Sequence, residues 1–252
     1  WNWKANGAGS SNTDGSITST VSASTTSGFS IVKYTNQNVK TIGHGLGVVP
    51  KVLIGKCLSG ASSWVFASAD LLGSWDKYLQ LNATSATGTE SRFFYPSSAS
   101  PTSSVFSSDQ SAWSAGGSAT EDMVVYAFAE KQGYSKFGSY TGNGNADGGF
   151  LFCGFKPSFL LLKNASDGAK NWEMLDNRRP STGQNPADDI LFPDTSDPES
   201  SSQTDRLVDF VSNGVKIRGN SAQMNGNGNT HIFMAFAEEP LVSSNGVPAT
   251  AR

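Results

Sequence analysis

Apolar and polar residues alternate along this chain in short runs, each closed by a polar or glycine-containing turn. "SIVKY", "KVLIGKC", "SWVFAS", "KYLQLN", "RFFY" and "VVYAFA" mark the first half. "SFLLLKN", "NWEMLDN", "DILFPD", "RLVDFV", "VKIRG" and "HIFMAFAE" mark the second. A period of two sends successive side chains to opposite faces of a pleat, so each run predicts a strand. "SG", "TGTE" and "PSSASP" punctuate the runs, and Asn213-Gly214 within "SNGV" predicts a hairpin. Very little helix is expected.

Two runs nearly coincide: "VVYAFAE" at 124–130 and "IFMAFAE" at 232–238. In the first, Val124, Tyr126 and Phe128 share one face while Val125, Ala127 and Ala129 share the other. A strand apolar on both faces is central and covered on both sides. Glu130 and Glu238 then mark where it leaves the core. Other segments recur in the same order: "GFSIVKYT" (28–35) as "GYSKFGSYT" (133–141), "VVPKVLIGK" (48–56) as "FKPSFLLLK" (155–163), and "SSWVFASAD" (62–70) as "KNWEMLDNR" (170–178). Phe29 and Tyr134 are 105 apart, Pro50 and Pro157 107, and Trp64 and Trp172 108, as are Phe128 and Phe236.

The chain therefore reads as all-β, with two tandem β-sandwich modules of jelly-roll or lectin-like type related by an internal repeat of about 105 residues. The first spans 28–132; the second spans 133–252 and ends in a C-terminal tail. Residues 1–27 read as the closing strand of a preceding unit, with Trp1 and Trp3 on one face of "WNWK", followed by a Ser/Thr/Gly-rich linker. On that reading the chain is the C-terminal part of something longer, and "NGVPATAR" has the look of a natural terminus. Trp64 and Trp172, at equivalent places, are expected in the two cores.

Composition narrows the function classes. Charged residues make up 15% of the 252, against roughly 25% in ordinary globular domains, and there are 27 glycines. A net charge of -3 with no Lys/Arg cluster argues against nucleic acid as partner. No apolar run approaches the roughly 18 residues a membrane span needs, so no membrane insertion is expected. Cys57 and Cys153 are expected as free thiols, and His44 and His231 stand at no zinc-ligand spacing from them. "GHGLG" (43–47) lies between strands with no following helix and reads as a turn. Glu173 and Asp176 are carboxylates with nothing to fix their separation, and nucleophile-elbow, Walker A and zincin patterns are missing. No enzyme activity and no cofactor are expected.

"WKANGAGSSNTDGSITSTVSA", "GHGLGVVPKVLI", "GYSKFGSYTGNGNADGGFLFCGFKPSFLLLK", "FVSNGVKIRG" and "AFAEEPLVSSNGVPATAR" together resemble the repeated C-terminal modules of tailed-bacteriophage structural proteins, above all tail-fibre-type proteins of marine and cyanobacterial phages. The resemblance covers essentially the whole chain. It implies a virion-associated, β-rich protein that serves host recognition or assembly, located in a phage tail or surface appendage. Partners implied are copies of itself as a homotrimer, other virion proteins and host-surface glycans. No catalytic residues transfer, since the family has no defined set. The alternative is a stand-alone extracellular carbohydrate-binding module, and behind it a polysaccharide depolymerase fragment.

Sugar binding needs aromatic platforms flanked by hydrogen-bonding groups. Trp75, Tyr95 and Trp113 lack counterparts in the second half and sit beside polar turn residues, which makes them the stacking candidates. Arg178 and Arg179, in the charged insertion "DNRRPSTGQNPADD" (176–189), are placed to grip an acidic glycan or to pair with Asp188 and Asp189. Asn143, Asn145 and Asp147 alternate as in the first half of a calcium loop, but the twelfth position is Gly154. A plain glycine-rich turn is the expected reading there.

Overall fold

The computed structural model describes residues 3–113, 121–180, 183 and 185–238. Strands account for 41% of the described residues and helix for 6%, so the all-β class holds. By internal contacts the chain divides into an N-terminal unit, residues up to Leu81 with Gly88–Glu130, and a C-terminal unit, Asn82–Thr87 with the residues from Lys131 onward.

In the N-terminal unit the strands are β1 (Ser10–Asn12), β2 (Ser19–Ser24), β3 (Phe29–Asn36), β4 (Lys40–Gly43), β5 (Val52–Cys57), β6 (Val65–Ala67), β7 (Lys77–Gln80), β8 (Gly88–Thr89), β9 (Val105–Ser108) and β10 (Glu121–Phe128). Eight form one antiparallel sheet in the order β1-β2-β3-β10-β5-β6-β7-β8, while β4 and β9 pair as a ribbon. Val32, Leu53, Val125 and Ala127 from the sheet and Ile42 and Phe106 from the ribbon belong to one buried cluster, giving two layers over one core. A four-residue helix, α1 (Ala69–Leu72), is capped by Ser68, whose hydroxyl accepts from Leu71 N at 3.3 Å.

The C-terminal unit holds β11 (Ser135–Thr141), β12 (Phe150–Phe152), β13 (Pro157–Asn164), β14 (Trp172–Asp176), β15 (Val208–Val211), β16 (Gly214–Ile217), the short helix α2 (Ala222–Asn225) and β17 (Thr230–Ala237). One sheet runs β11-β17-β13-β14 and a second β12-β16-β15. Leu160, Leu162, Phe233 and Ala235 of the first meet Leu151, Phe210, Val215 and Ile217 of the second in the buried core.

The four-strand order β3-β10-β5-β6 matches β11-β17-β13-β14. Register matches as well: Val52 lies opposite Phe128, and Phe159, 107 residues on, lies opposite Phe236, 108 residues on. Leu53 faces Ala67 and Leu160 faces Leu175. Gly28 and Gly133 precede the first strand of each set at φ +66° and +74°, a left-handed conformation that glycine adopts without Cβ strain.

From Met123 and from Ile232 onward the central strands β10 and β17 are apolar on both faces, and buried on both apart from half-buried Tyr126. Glu130 and Glu238 do not simply run out into solvent. Each is three-quarters or more buried and ion-paired, Glu130 with Lys51 at 3.3 Å and Glu238 with Lys156 at 2.7 Å.

Several expectations are corrected. The Ser/Thr-rich stretch within 1–27 is no linker, because β1 and β2 extend the first sheet and Val21 enters its core. Thr20 and Val21, β-branched and on opposite faces, suit a pleated strand even where serine dominates the composition. Residues 3–9 carry no strand, although Trp3 does pack on Phe29 and Phe128, at ring distances of 6.4 and 5.7 Å. Trp1 lies outside the described residues. "RFFY" forms a turn, with Tyr95 N–H donating to Ser91 O at 2.8 Å, and "DILFPD" makes only isolated bridges through Ile190 and Leu191. The β15–β16 hairpin forms, turning through Ser212 and Asn213, with Gly214 opposite Val211.

Candidate functional site

Burial removes two of the three aromatic platforms. Trp113 is 2% exposed and Trp75 8%, both inside the N-terminal core, and Tyr95 packs against that core half-buried. Gly55 explains the position of Trp113: a Cβ there would stand 2.4 Å from the indole, so the ring lies directly over the glycine backbone of β5. Phe93 and Phe94 contact the indole edge-on, at 4.8 and 5.5 Å, and its Nε1 donates to Ser108 Oγ at 2.9 Å. Seen from sequence, Trp113 sits among polar turn residues; seen in space, distant residues enclose it.

One edge of Trp113 still reaches a cleft of about 240 Å³. Ser62, Ser63, Val65, Gln80, Ala112 and Phe93 line the rest. The lining mixes hydroxyl and amide groups with two aromatic walls. None of Ser62, Ser63, Gln80 or Phe93 carries a local sequence signature. The approach of β6, β7 and the turn holding Phe93 creates the cleft.

Polar groups lie behind this cleft. Ser62 Oγ accepts from Cys57 N at 3.3 Å, and Cys57 Sγ donates to Glu121 Oε2 at 3.4 Å. Glu121 stands opposite Asn36, which is 0% exposed with neither amide atom hydrogen-bonded. The Tyr34 hydroxyl turns towards Ser108 without closing a well-formed hydrogen bond, and burial raises its pKa far above the ordinary tyrosine value. His44, in "GHGLG", is structural: Leu46 N–H donates to Nδ1 at 3.2 Å, leaving the Nε2 proton for Thr102 O at 3.1 Å. Burial depresses its pKa and keeps the ring neutral.

The corresponding row of the C-terminal unit is filled by its own chain. Tyr140 and Asn164 flank His231 there, as Tyr34 and Cys57 flank Met123. The Tyr140 hydroxyl donates to Met224 O, and Asn164 Nδ2 donates to Ala222 O at 2.8 Å, so α2 closes the row. His231 stacks on Tyr140 at 5.0 Å, with the backbone of Gly226 and Gln223 facing the ring, and desolvation lowers its pKa to about 4.

Glu173 does not pair with Asp176, because the two point to opposite faces of β14: Glu173 lies opposite Leu162 and Asp176 opposite Phe159. Desolvation lifts Glu173 to about 7 even though Arg206 Nη1 stands 3.3 Å away. Lys163, wholly buried with Nζ donating to Lys170 O, falls to about 8 for the same reason.

The calcium-loop candidates converge on an amide. Asn225 Nδ2 donates to Asn143 Oδ1 at 2.9 Å, Asn145 O at 2.8 Å and Gly219 O at 3.0 Å, occupying the centre a cation would need. Asp147 turns instead to Lys216, at 2.6 Å. Among the described residues no three His, Cys, Asp or Glu side chains group as metal ligands. Cys57 and Cys153 are both buried free thiols.

Arg178 and Arg179 are engaged by carboxylates other than Asp188 and Asp189. Asp176 holds Arg179 Nε at 2.5 Å and accepts both arginine backbone N–H groups, Glu199 takes Arg179 Nη1, and Glu238 takes Arg178 at 2.9 Å. The described end of the insertion is pinned: Ala187 bridges to Val208, and Asp188 and Asp189 are buried. A pre-neutralised arginine pair is a poor anion clamp.

No helix among the described residues is long and apolar enough to cross a membrane. No curated protein and no solved structure matches the chain. One family, described as "Domain of unknown function (DUF7483)", matches residues 1–240 and so spans both units; the chain belongs to that family.

Proposed function

We propose that this chain is a non-enzymatic structural protein of a tailed-phage fibre or comparable virion appendage, built from one β-sandwich module used twice and engaged in host-surface contact. The observation that carries the reading is the shared strand order and register of the two four-strand sets, together with the Lys–Glu pair closing each central strand. Tandem copies of a rigid sandwich suit an extended appendage. The titratable groups in the core serve packing: Glu173 meets Arg206, and His231 is stacked on Tyr140. In a homotrimer, weak contacts to a surface glycan add up through avidity.

Size-exclusion chromatography with light scattering on the full chain tests this. A trimeric mass is expected, and a strict monomer at all concentrations overturns the fibre reading.

The cleft at Ser62, Ser63, Gln80 and Trp113 favours a second reading, in which the chain is a stand-alone extracellular carbohydrate-binding module. A monomer that binds on a glycan array would select it over the first.

A further inference from the structure

We propose that the N-terminal unit of one copy docks on the C-terminal unit of a second copy through the corner beside each closing Lys–Glu pair, so that copies join head to tail. This inference rests on the homotrimer part of the function proposed above, and it names the surfaces that meet.

Two independent observations carry it. The first is exposed apolar surface. Four of the six large apolar side chains exposed among the described residues lie at these corners: Val48 and Val49 in the loop before Lys51, and Phe150 and Phe152 on the strand before Lys156. β4, the strand before β5, is bordered by its own chain, since Ile17 bridges Ile42 and Ser19 Oγ donates to Gly43 O at 2.9 Å. β12, the strand before β13, is instead the edge of its sheet. Leu151 enters the core, which turns both phenylalanines outward, at 46% and 62% exposure. A Cβ on Gly214 would stand 2.9 Å from Phe150 Cζ, so that ring already leans on the backbone of β16. An aromatic ring ordered before contact loses little entropy on docking, and aromatics are enriched where interfaces are buried.

The second observation is charge. Lys51 is shared by two carboxylates, Asp70 and Glu130, both at 3.3 Å. Glu238 is shared by two cations, Lys156 at 2.7 Å and Arg178 at 2.9 Å. The first group carries an excess of one negative charge and the second an excess of one positive charge. The most exposed member is Asp70 in the first, at 56%, and Arg178 in the second, at 67%. Arg179 belongs to a separate, less exposed cluster with Asp176 and Glu199. Like groups repel and unlike groups attract, so the charges favour a heterologous contact over a two-fold one. A heterologous contact closes into a ring or runs on as a filament, and the trimer is a closed form. Stable interfaces bury about 800 Å² per partner, more than four apolar side chains supply, so assembly is expected to depend on concentration.

Light scattering on the full chain over a range of concentrations tests the proposal. Wild type is expected to reach a trimeric mass. Phe152→Ser, Asp70→Arg and Arg178→Asp are each expected to raise the concentration needed for assembly at least about tenfold. Asp70→Arg and Arg178→Asp together in one chain are expected to restore it, which a merely structural effect would not do. Thermal melts show whether each variant folds; should one fail to fold, the others decide. A trimer that the folded single variants leave intact overturns this surface and keeps the homotrimer reading. Loss of assembly in both charge variants without rescue in the double variant also overturns it. So does a wild-type mass that stops at a dimer, the mark of a two-fold contact. A wild-type monomer at all concentrations overturns both the surface and the homotrimer.

Discussion

The two central strands, β10 and β17, are alike at one end and different at the other. At their carboxyl ends each runs into a glutamate held by a lysine, Glu130 by Lys51 and Glu238 by Lys156. The lysine follows a proline in one unit (Pro50-Lys51) and precedes it in the other (Lys156-Pro157), yet both reach the same glutamate position. At the amino ends the flanking rows diverge: Tyr34, Met123 and Cys57 against Tyr140, His231 and Asn164. Around the same strand order the ion pair at the carboxyl end recurs, whereas at the amino end α2 accepts hydrogen bonds from Tyr140 and Asn164 in the C-terminal unit and the N-terminal unit buries Tyr34 and Cys57. Loops and rims tolerate such change because little of the core depends on them.

The largest effect that sharpens this comparison is expected from Trp113→Ala. Emptying the indole site over Gly55 should cost the N-terminal unit about 3–5 kcal/mol, read as a lower urea midpoint. A loss below about 1 kcal/mol would mean that the ring does not hold the cleft in place. Next come the paired tyrosines. Tyr140→Phe strands the Met224 carbonyl and should cost about 1–3 kcal/mol, while Tyr34→Phe removes an unpartnered hydroxyl and should stay within about 0.5 kcal/mol of wild type. Equal losses at both positions would erase the difference between the rims.

A slope in pH reports on the C-terminal unit, which holds both Glu173 and His231. Glu173 has a folded-state pKa raised from 4.5 to about 7, so its contribution to stability is full below 4.5 and is lost as pH rises through about 7. His231, lowered from 6.5 to about 4, behaves oppositely: its contribution is full above 6.5 and is lost as pH falls through about 4. The two slopes oppose each other between pH 4.5 and 6.5, so Glu173→Gln should expose the rise in urea midpoint with pH that His231 gives across that window. An unchanged slope would place the titration elsewhere. The smallest effect belongs to the shared end: Glu130→Gln and Glu238→Gln should each cost about 0–1 kcal/mol, and similar amounts in the two units. A marked inequality in denaturation midpoints would break the likeness of the closures.

The central strands were legible in the sequence because Val125 and Ala127 are apolar at one parity and Val124 and Phe128 at the other, a pattern few loops show. β5, β13 and the β15–β16 hairpin were legible for similar reasons. β2 was not, since its strand character rests on Val21 and Thr20 within serines, and composition alone reads as linker. The site was harder still. Trp113 is decided by Gly55, which lies far away in sequence, and Arg179 by Asp176 and Glu199, whose partnership is a product of the fold. Local pattern records which residues want burial; it does not record which neighbours supply it.

The position of β10 and β17 at the end of their units has a consequence for biosynthesis. Each joins the earliest strands of its sheet to the rest: β10 lies between β1-β2-β3 and β5, and β17 between β11 and β13. Neither sheet can become continuous until the last residues of its unit have left the ribosome. The exposed edges of β3 and β5, and later of β11 and β13, wait for a strand synthesised long after them, and such non-local pairing is slow and open to mispairing between chains. In an assembly that brings several nascent copies close together, the timing of that last strand would decide whether each sheet closes on itself or on its neighbour.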